Sequence, residues 1–295
     1  MKKALLLVNP KSGRQAAKKQ FFEMLETLSA QYELSIHFTK STEDVIETAK
    51  SVAYDSVIVC GGDGTLSGAV YGLLDNPNRA SIEVGYIPSG TANDVATTLK
   101  IPKSMAAGAQ YVIDNTAKPH DVGLFNDRSF IYTASFGTFA RVAFETPQKM
   151  KSALGHLAYM LNGAQELFHM KGYDLVIEAD GEVIEKKDIT FCAVSNSHSL
   201  GGGVLRIPPR MVGLADGKLE ILTVARPKNL FDLENAVRSI VQKEFNNELV
   251  SLIRAEEIKI RSNIPMGFTL DGEDGGEHTE VAIRCLKHGI NLIKA

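Results

Sequence analysis

The first 120 or so residues alternate short apolar runs with helical stripes, and that alternation leaves few folds open. "ALLLV" (4–8) and "SVIVC" (56–60) are continuously apolar, as strands buried on both faces are. "ELSIHF" (33–38) alternates, and "EVGYIP" (83–88) supplies a fourth strand. Between them, Ala17, Phe21, Met24, Leu25 and Leu28 repeat at helical spacing, as do Val45, Ile46, Ala49 and Val52. A third stripe, Leu66, Ala69, Val70, Leu73 and Leu74, follows a glycine turn directly. Such a βαβ succession predicts a parallel sheet with helices on both faces.

After Asp121 the texture changes. "SFIYTAS", "YDLVIEA", "EVIEKKDITFCAVSN", "KLEILTVA", "EIKIRS", "MGFTLDGE" and "EVAIRCL" read as short alternating strands, with a hairpin signal in "ADGE" at 179–182. They predict an antiparallel β-sandwich. Helical stretches at about 148–170 and 228–247 interrupt it. The expected division is an α/β unit over 1–124 and a mainly β unit over 125–295, the last strand returning to the first unit, with a cleft for a ligand between them.

Composition narrows the functional classes. A net charge of -3 gives no global attraction to nucleic acid or to an anionic membrane. Cys60, Cys192 and Cys285 lack metal-site or disulfide spacing, and a reducing cytoplasm fits them. The N-terminal apolar run is too short for a signal core and ends at Pro10, and no apolar run reaches membrane-span length. Contact with lipid is therefore expected to be peripheral.

Three polar turns follow three of the predicted strands. In "NPKSGR" (9–14), Lys11 and Arg14 carry positive charge, and Ser12 and Gly13 can expose N–H groups at a helix start. "GGDGT" (61–65) is neither a Walker loop nor a dinucleotide fingerprint. Its glycines allow close backbone approach to a phosphate, but Asp63 opposes one. Two like unit charges at 4 Å cost about 4 kcal/mol at an effective dielectric near 20. Asp63 thus needs a cation, or a partner other than phosphate; a simple cap is the plainer alternative. "PSGTANDVA" (88–96) adds Thr91, Asn93 and Asp94. In a parallel sheet all three turns share the edge where α/β proteins bind ligands. The fourth polar stretch, "FTLDGEDGGEH" (268–278), reads by itself as a solvated hairpin turn.

Taken together, "NPKSG", "GGDGT", "PSGTANDVA", "DVG" (121–123), "GGGVLRIPPRMVGLADGKLEI" (201–221) and "LDGE" (270–273) resemble the diacylglycerol kinase catalytic family, and its soluble bacterial lipid kinases in particular. The order and spacing hold along nearly the whole chain. The resemblance implies ATP and Mg²⁺ as cofactors and a lipid hydroxyl as acceptor. Asn9, Lys11, Ser12, Gly13, Thr39, Gly61, Gly62, Asp63, Gly64, Thr65, Leu66, Ser67, Thr91 and Asn93 would contact nucleotide. Asp63, Asp94 and Asp121 would organise a catalytic Mg²⁺, and Asp216 with the carbonyls of Gly213 and Lys218 a structural one. Glu273 would accept the proton, with Asp271 as partner or rival. The β unit would bind lipid, membrane contact would be peripheral at the inner face, and relatives suggest a homodimer. A kinase for a soluble acceptor such as NAD and a non-catalytic nucleotide-binding regulator are the competing readings.

Overall fold

The computed structural model describes residues 1–12, 17–91, 93–137, 171–200 and 205–295. The helix expected at 148–170, Gly13, Arg14 and the triple glycine at 201–203 lie outside them.

Strands β1 (Lys2–Val8), β2 (Tyr32–Phe38), β3 (Ser56–Gly61) and β4 (Glu83–Pro88) are parallel, in the order β4-β3-β1-β2. Helices α1 (Ala17–Ser29), α2 (Thr42–Ser51), α3 (Asp63–Leu74), α4 (Asp94–Leu99) and α5 (Met105–Asp114) connect or follow them. The two-residue period of a strand sorts the apolar runs into two cores. Leu5, Leu7, Val57, Val59 and Val84 pack with α2 and α3. Leu6, Val8, Ile58, Cys60 and Ile87 point the other way, toward Met24 and Leu28 of α1 and Ala109 and Val112 of α5. Burial on both faces is why these runs contain no polar alternation.

The remaining strands are β5 (Thr116–Phe125), β6 (Arg128–Phe130), β7 (Thr133–Gly137), β8 (Tyr173–Ala179), β9 (Glu182–Ser195), β10 (Ser199–Leu200) and β11 (Leu205–Arg206). Then come β12 (Leu219–Ala225), helix α6 (Leu230–Gln242), β13 (Val250–Ala255), β14 (Glu257–Leu270) and β15 (Glu273–Lys294). They form the antiparallel β-sandwich. In the β8–β9 hairpin, Asp180 and Gly181 both take positive φ (49° and 87°), the type I′ geometry that an Asp-Gly pair favours.

The two units share one sheet. β15 runs antiparallel to β14 and β5 over most of its length, then pairs Asn291 and Leu292 in parallel with Glu83 and Val84 of β4. The turn before β15 is thereby held at a fixed distance from the turns after β1, β3 and β4. Among the described residues no helix is long and apolar enough to cross a membrane.

Candidate active site

The three polar turns meet at the C-terminal edge of the parallel strands and are stitched together. Asn9 donates its side-chain amide to Thr65 Oγ1 at 3.0 Å and accepts the Lys11 N–H at Oδ1 at 2.9 Å. The hydroxyls of Ser12 and Ser89 hydrogen-bond at 2.7 Å. Gly62 and Gly90 pack backbone against backbone, since a Cβ on Gly90 would stand 2.6 Å from the Gly62 Cα. No larger residue fits that crossing.

Asp63 has an unexpected partner. Its carboxylate caps the next helix, accepting the Asp94 N–H at 3.0 Å and the Val95 N–H at 3.4 Å. The N-cap of α4 is Asn93, whose left-handed backbone (φ 54°) and side chain serve the turn at Gly90 and leave α4 without a side-chain cap of its own. The first N–H groups of α4 therefore take their acceptor from α3. Burial raises the Asp63 carboxyl above the usual range, and these amide donors oppose that rise. The Tyr86 hydroxyl lies 3.4 Å from Asp63 Oδ1 and 3.3 Å from Asn93 Oδ1. Burial, together with nearby Asp94 and Asp63, raises the Tyr132 phenol above its ordinary range.

Asp121 is held in a different setting. Its carboxylate accepts the Gly217 N–H at 2.6 Å and the His288 N–H at 2.7 Å, which ties it to the 213–218 loop rather than to Asp63. In that loop, Asp216 folds back over Gly213, where a Cβ would collide with it. The Asp216 carboxylate is paired with Arg254 and accepts the Lys218 N–H at 3.1 Å. Arg254 also donates to Glu220 Oε1 at 3.1 Å, while Glu220 Oε2 is buried with no hydrogen-bond partner among the described residues. Burial pushes the Glu220 carboxyl up to about 8. In this arrangement Arg254 balances the charge of Asp216, and one N–H or guanidinium donor reaches each Asp216 oxygen.

The two acidic residues of "LDGE" part company. Asp271 is buried, and the expected solvated turn does not hold for it. At φ 51° it accepts the N–H groups of Ile131, Tyr132 and Thr133 at 2.7, 3.0 and 3.0 Å. Burial pushes its carboxyl up to about 6 against these donors. Three hydrogen bonds tie it to the backbone. Glu273 is exposed and reaches back over α3, so that a Cβ on Gly64 would sit 2.8 Å from its Oε1.

Glu273 closes a cavity of about 350 Å³ whose other walls include Asn9, Lys11, Thr39, Lys40, Gly62, Gly64 and Thr65. Gly62 is the N-cap of α3 and has no side chain to satisfy the first-turn N–H groups. A helix N-terminus with two lysines beside it suits an anion. Lys40, Ser41 and Thr42, which follow β2, also line this cavity and were missed by the sequence reading. The available signal was a cap, since Ser41 accepts the Asp44 N–H at the start of α2. Leu66 is fully buried in the core between the sheet and α2, not in the cavity, and Thr91 stands exposed in the β4–α4 turn. Among the described residues no group of three or more His, Cys, Asp or Glu side chains is arranged to hold a metal ion.

Comparison with known proteins agrees with this layout. Residues 3–125 match the diacylglycerol kinase catalytic domain, and residues 133–294 match the YegS C-terminal NAD kinase beta sandwich-like domain. Diacylglycerol kinase of Bacillus subtilis (strain 168) is 32% identical over 94% of this chain and 91% of its own length. The chain belongs to the diacylglycerol kinase family. Diacylglycerol kinase of Staphylococcus aureus (strain JH9) is 33% identical over 94% of this chain and 87% of its own. A solved diacylglycerol kinase from Bacillus anthracis str. Sterne superposes with a TM-score of 0.76 at 25% identity, covering 100% of this chain and 97% of that one. A further chain from the same organism gives a TM-score of 0.80 at 27% identity with the same coverage. Membership makes the chain a kinase by family.

Proposed function

We propose that this chain is an ATP-dependent lipid kinase that transfers the γ-phosphoryl group to the hydroxyl of diacylglycerol, giving phosphatidic acid. The observation that carries the reading is the position of Glu273. It is an exposed carboxylate packed over Gly64, in the same cavity as Lys11, Lys40 and the uncapped start of α3.

In this reading the nucleotide phosphates lie along Gly62 and Gly64, with Lys11 and Lys40 balancing their charge. The acceptor oxygen forms a bond to the γ-phosphorus as the bond to the β–γ bridging oxygen breaks, and ADP leaves. Phosphoryl transfer passes through a loose transition state, so little proton removal is needed early. Glu273 orients the hydroxyl and takes its proton as the new bond forms. Asp271 is buried and holds residues 131–133 through three amide hydrogen bonds, so the exposed Glu273 is the acceptor this reading favours. Asp271 is a positioning residue for the loop under the acceptor side.

A Mg²⁺ bound with the nucleotide would neutralise the charge on the phosphate oxygens. The fit is of the kind Mg²⁺ favours, with one or two carboxylates, phosphates and water. Among the described residues Asp63 Oδ2 accepts one hydrogen bond, and a carboxylate oxygen has two lone pairs. Asp63 and Asp94 are the residues that would hold it, partly through water.

The assay is competitive. The protein receives ATP with diacylglycerol in mixed micelles and with NAD in solution. Phosphatidic acid as product supports the reading, whereas NADP as the sole phosphorylated product removes it.

A further inference from the structure

A second cavity, of about 630 Å³, opens on the other side of the first turn, where α1 and α5 cover the sheet. Phe21, Phe22, Phe38, Cys60 and Met105 form most of its wall, and Asn9 and Ser12 stand between it and the nucleotide-site cavity. Its size is that of a small-molecule site, roughly 300–1,000 Å³. We propose that this cavity holds a hydrocarbon chain of the acceptor lipid, which rests on the lipid-kinase reading above.

The polar side chains in the wall are already occupied. Asn9 spends its amide on Thr65 and its carbonyl oxygen on the Lys11 N–H. Ser12 donates to the Asn9 carbonyl at 2.9 Å and shares a hydrogen bond with Ser89. A base or sugar placed here would lose hydrogen bonds to water and find few replacements, at about 1–3 kcal/mol for each polar group left unpaired. A hydrocarbon chain has none to lose.

The rim carries the complementary feature. Phe22 is 67% exposed and Phe38 is 53% exposed, although both flank an apolar hollow. Phe21 lies 6.2 Å from Phe38, centroid to centroid, so the aromatic surface runs from the floor to the rim. Large apolar side chains lining a concave surface mark a site for an apolar ligand. Asn9 and Ser12 line both cavities, so a chain seated here lies one residue's thickness from the cavity that Glu273 lines. This places the hydrocarbon on the α/β unit rather than on the β-sandwich.

The test compares wild type with Phe22→Ser, which strips the rim, and Met105→Trp, which fills the hollow. Each is assayed with dioleoylglycerol in mixed micelles and with a short-chain, water-soluble diacylglycerol. Binding of the fluorescent fatty acid cis-parinaric acid is measured in parallel without ATP. The expected result is that the long-chain to short-chain ratio of kcat/KM falls about tenfold in both variants while the KM for ATP stays within about twofold. Met105→Trp should also abolish probe binding. An unchanged ratio in both variants overturns the proposal, as does a KM for ATP that rises equally with both acceptors, which would assign the hollow to the nucleotide. Probe binding that Met105→Trp abolishes, without transfer to any lipid, would keep the chain site and remove the lipid-kinase reading instead.

Discussion

Replacing Gly64 by alanine should separate activity from stability. The added Cβ would stand 2.8 Å from Glu273 Oε1, against about 3.4 Å for an ordinary contact, so the carboxylate must retreat by roughly 0.6 Å. Gly64 lies in the first turn of α3, where alanine gains up to about 1 kcal/mol in helix propensity. Gly64→Ala should therefore unfold at the same or higher denaturant concentration. Its kcat with a lipid acceptor should nevertheless fall about 10- to 100-fold, since displacements of this size at a reacting group carry such penalties. Glu273→Gln removes the proposed proton acceptor and should lower kcat by about 10²–10⁴. The decisive comparison is the double variant. If Gly64→Ala acts through Glu273, adding it to Glu273→Gln lowers kcat by no more than about threefold further. Two losses that multiply would show that the new methyl group disturbs nucleotide instead, and full activity in Gly64→Ala would refute the assigned position of Glu273.

Other substitutions follow from the same contacts. Asp271→Ala leaves three buried amide donors without their acceptor and should cost about 2–4 kcal/mol in a urea titration, whereas Glu273→Gln at an exposed position stays within about 0.5 kcal/mol; equal stabilities would put Asp271 back among the chemical groups. Asp63→Ala removes the cap of α4 and should cost about 1–2 kcal/mol, so hydrogen exchange in residues 94–99 should quicken; unchanged exchange there would contradict the capping role. Lys294 sits against the Pro119 carbonyl and His120 Nδ1, and burial depresses its ammonium pKa to about 8. A depressed pKa contributes stability above the unfolded value, near 10.4, that is lost as pH falls through about 8. Urea midpoints should thus drop from pH 10 to pH 8 in wild type and less so in Lys294→Met; parallel profiles would exclude this linkage.

Much of the fold was legible because its signals are local. The runs at 4–8 and 56–60 show burial on both faces without any partner being known, and Asp180-Gly181 announces its hairpin through backbone preference alone. The convergence of the turns at 9–12, 61–65 and 88–91 followed from parallel topology. Partners far away in sequence were not legible. The acceptor oxygens of Asp63 serve amides 31 and 32 residues later, and those of Asp271 serve amides 138 to 140 residues earlier. Acidic residues in glycine turns look alike in a sequence, and only the fold shows that Asp271 is tied to backbone while Glu273 is exposed. Asp121 shows the same limit, since its tie to Gly217 and His288 depends on how β15 returns to the first unit.

The central claim is transfer of phosphate from ATP to a lipid hydroxyl with Glu273 as proton acceptor. Labelled ATP incubated with total lipid extract, followed by identification of the labelled product, tests it most directly. Wild type should place the label in phosphatidic acid, and a folded Glu273→Gln protein should leave at most about one hundredth of that signal. Label in no lipid at all, or equal label from both proteins, would contradict the account.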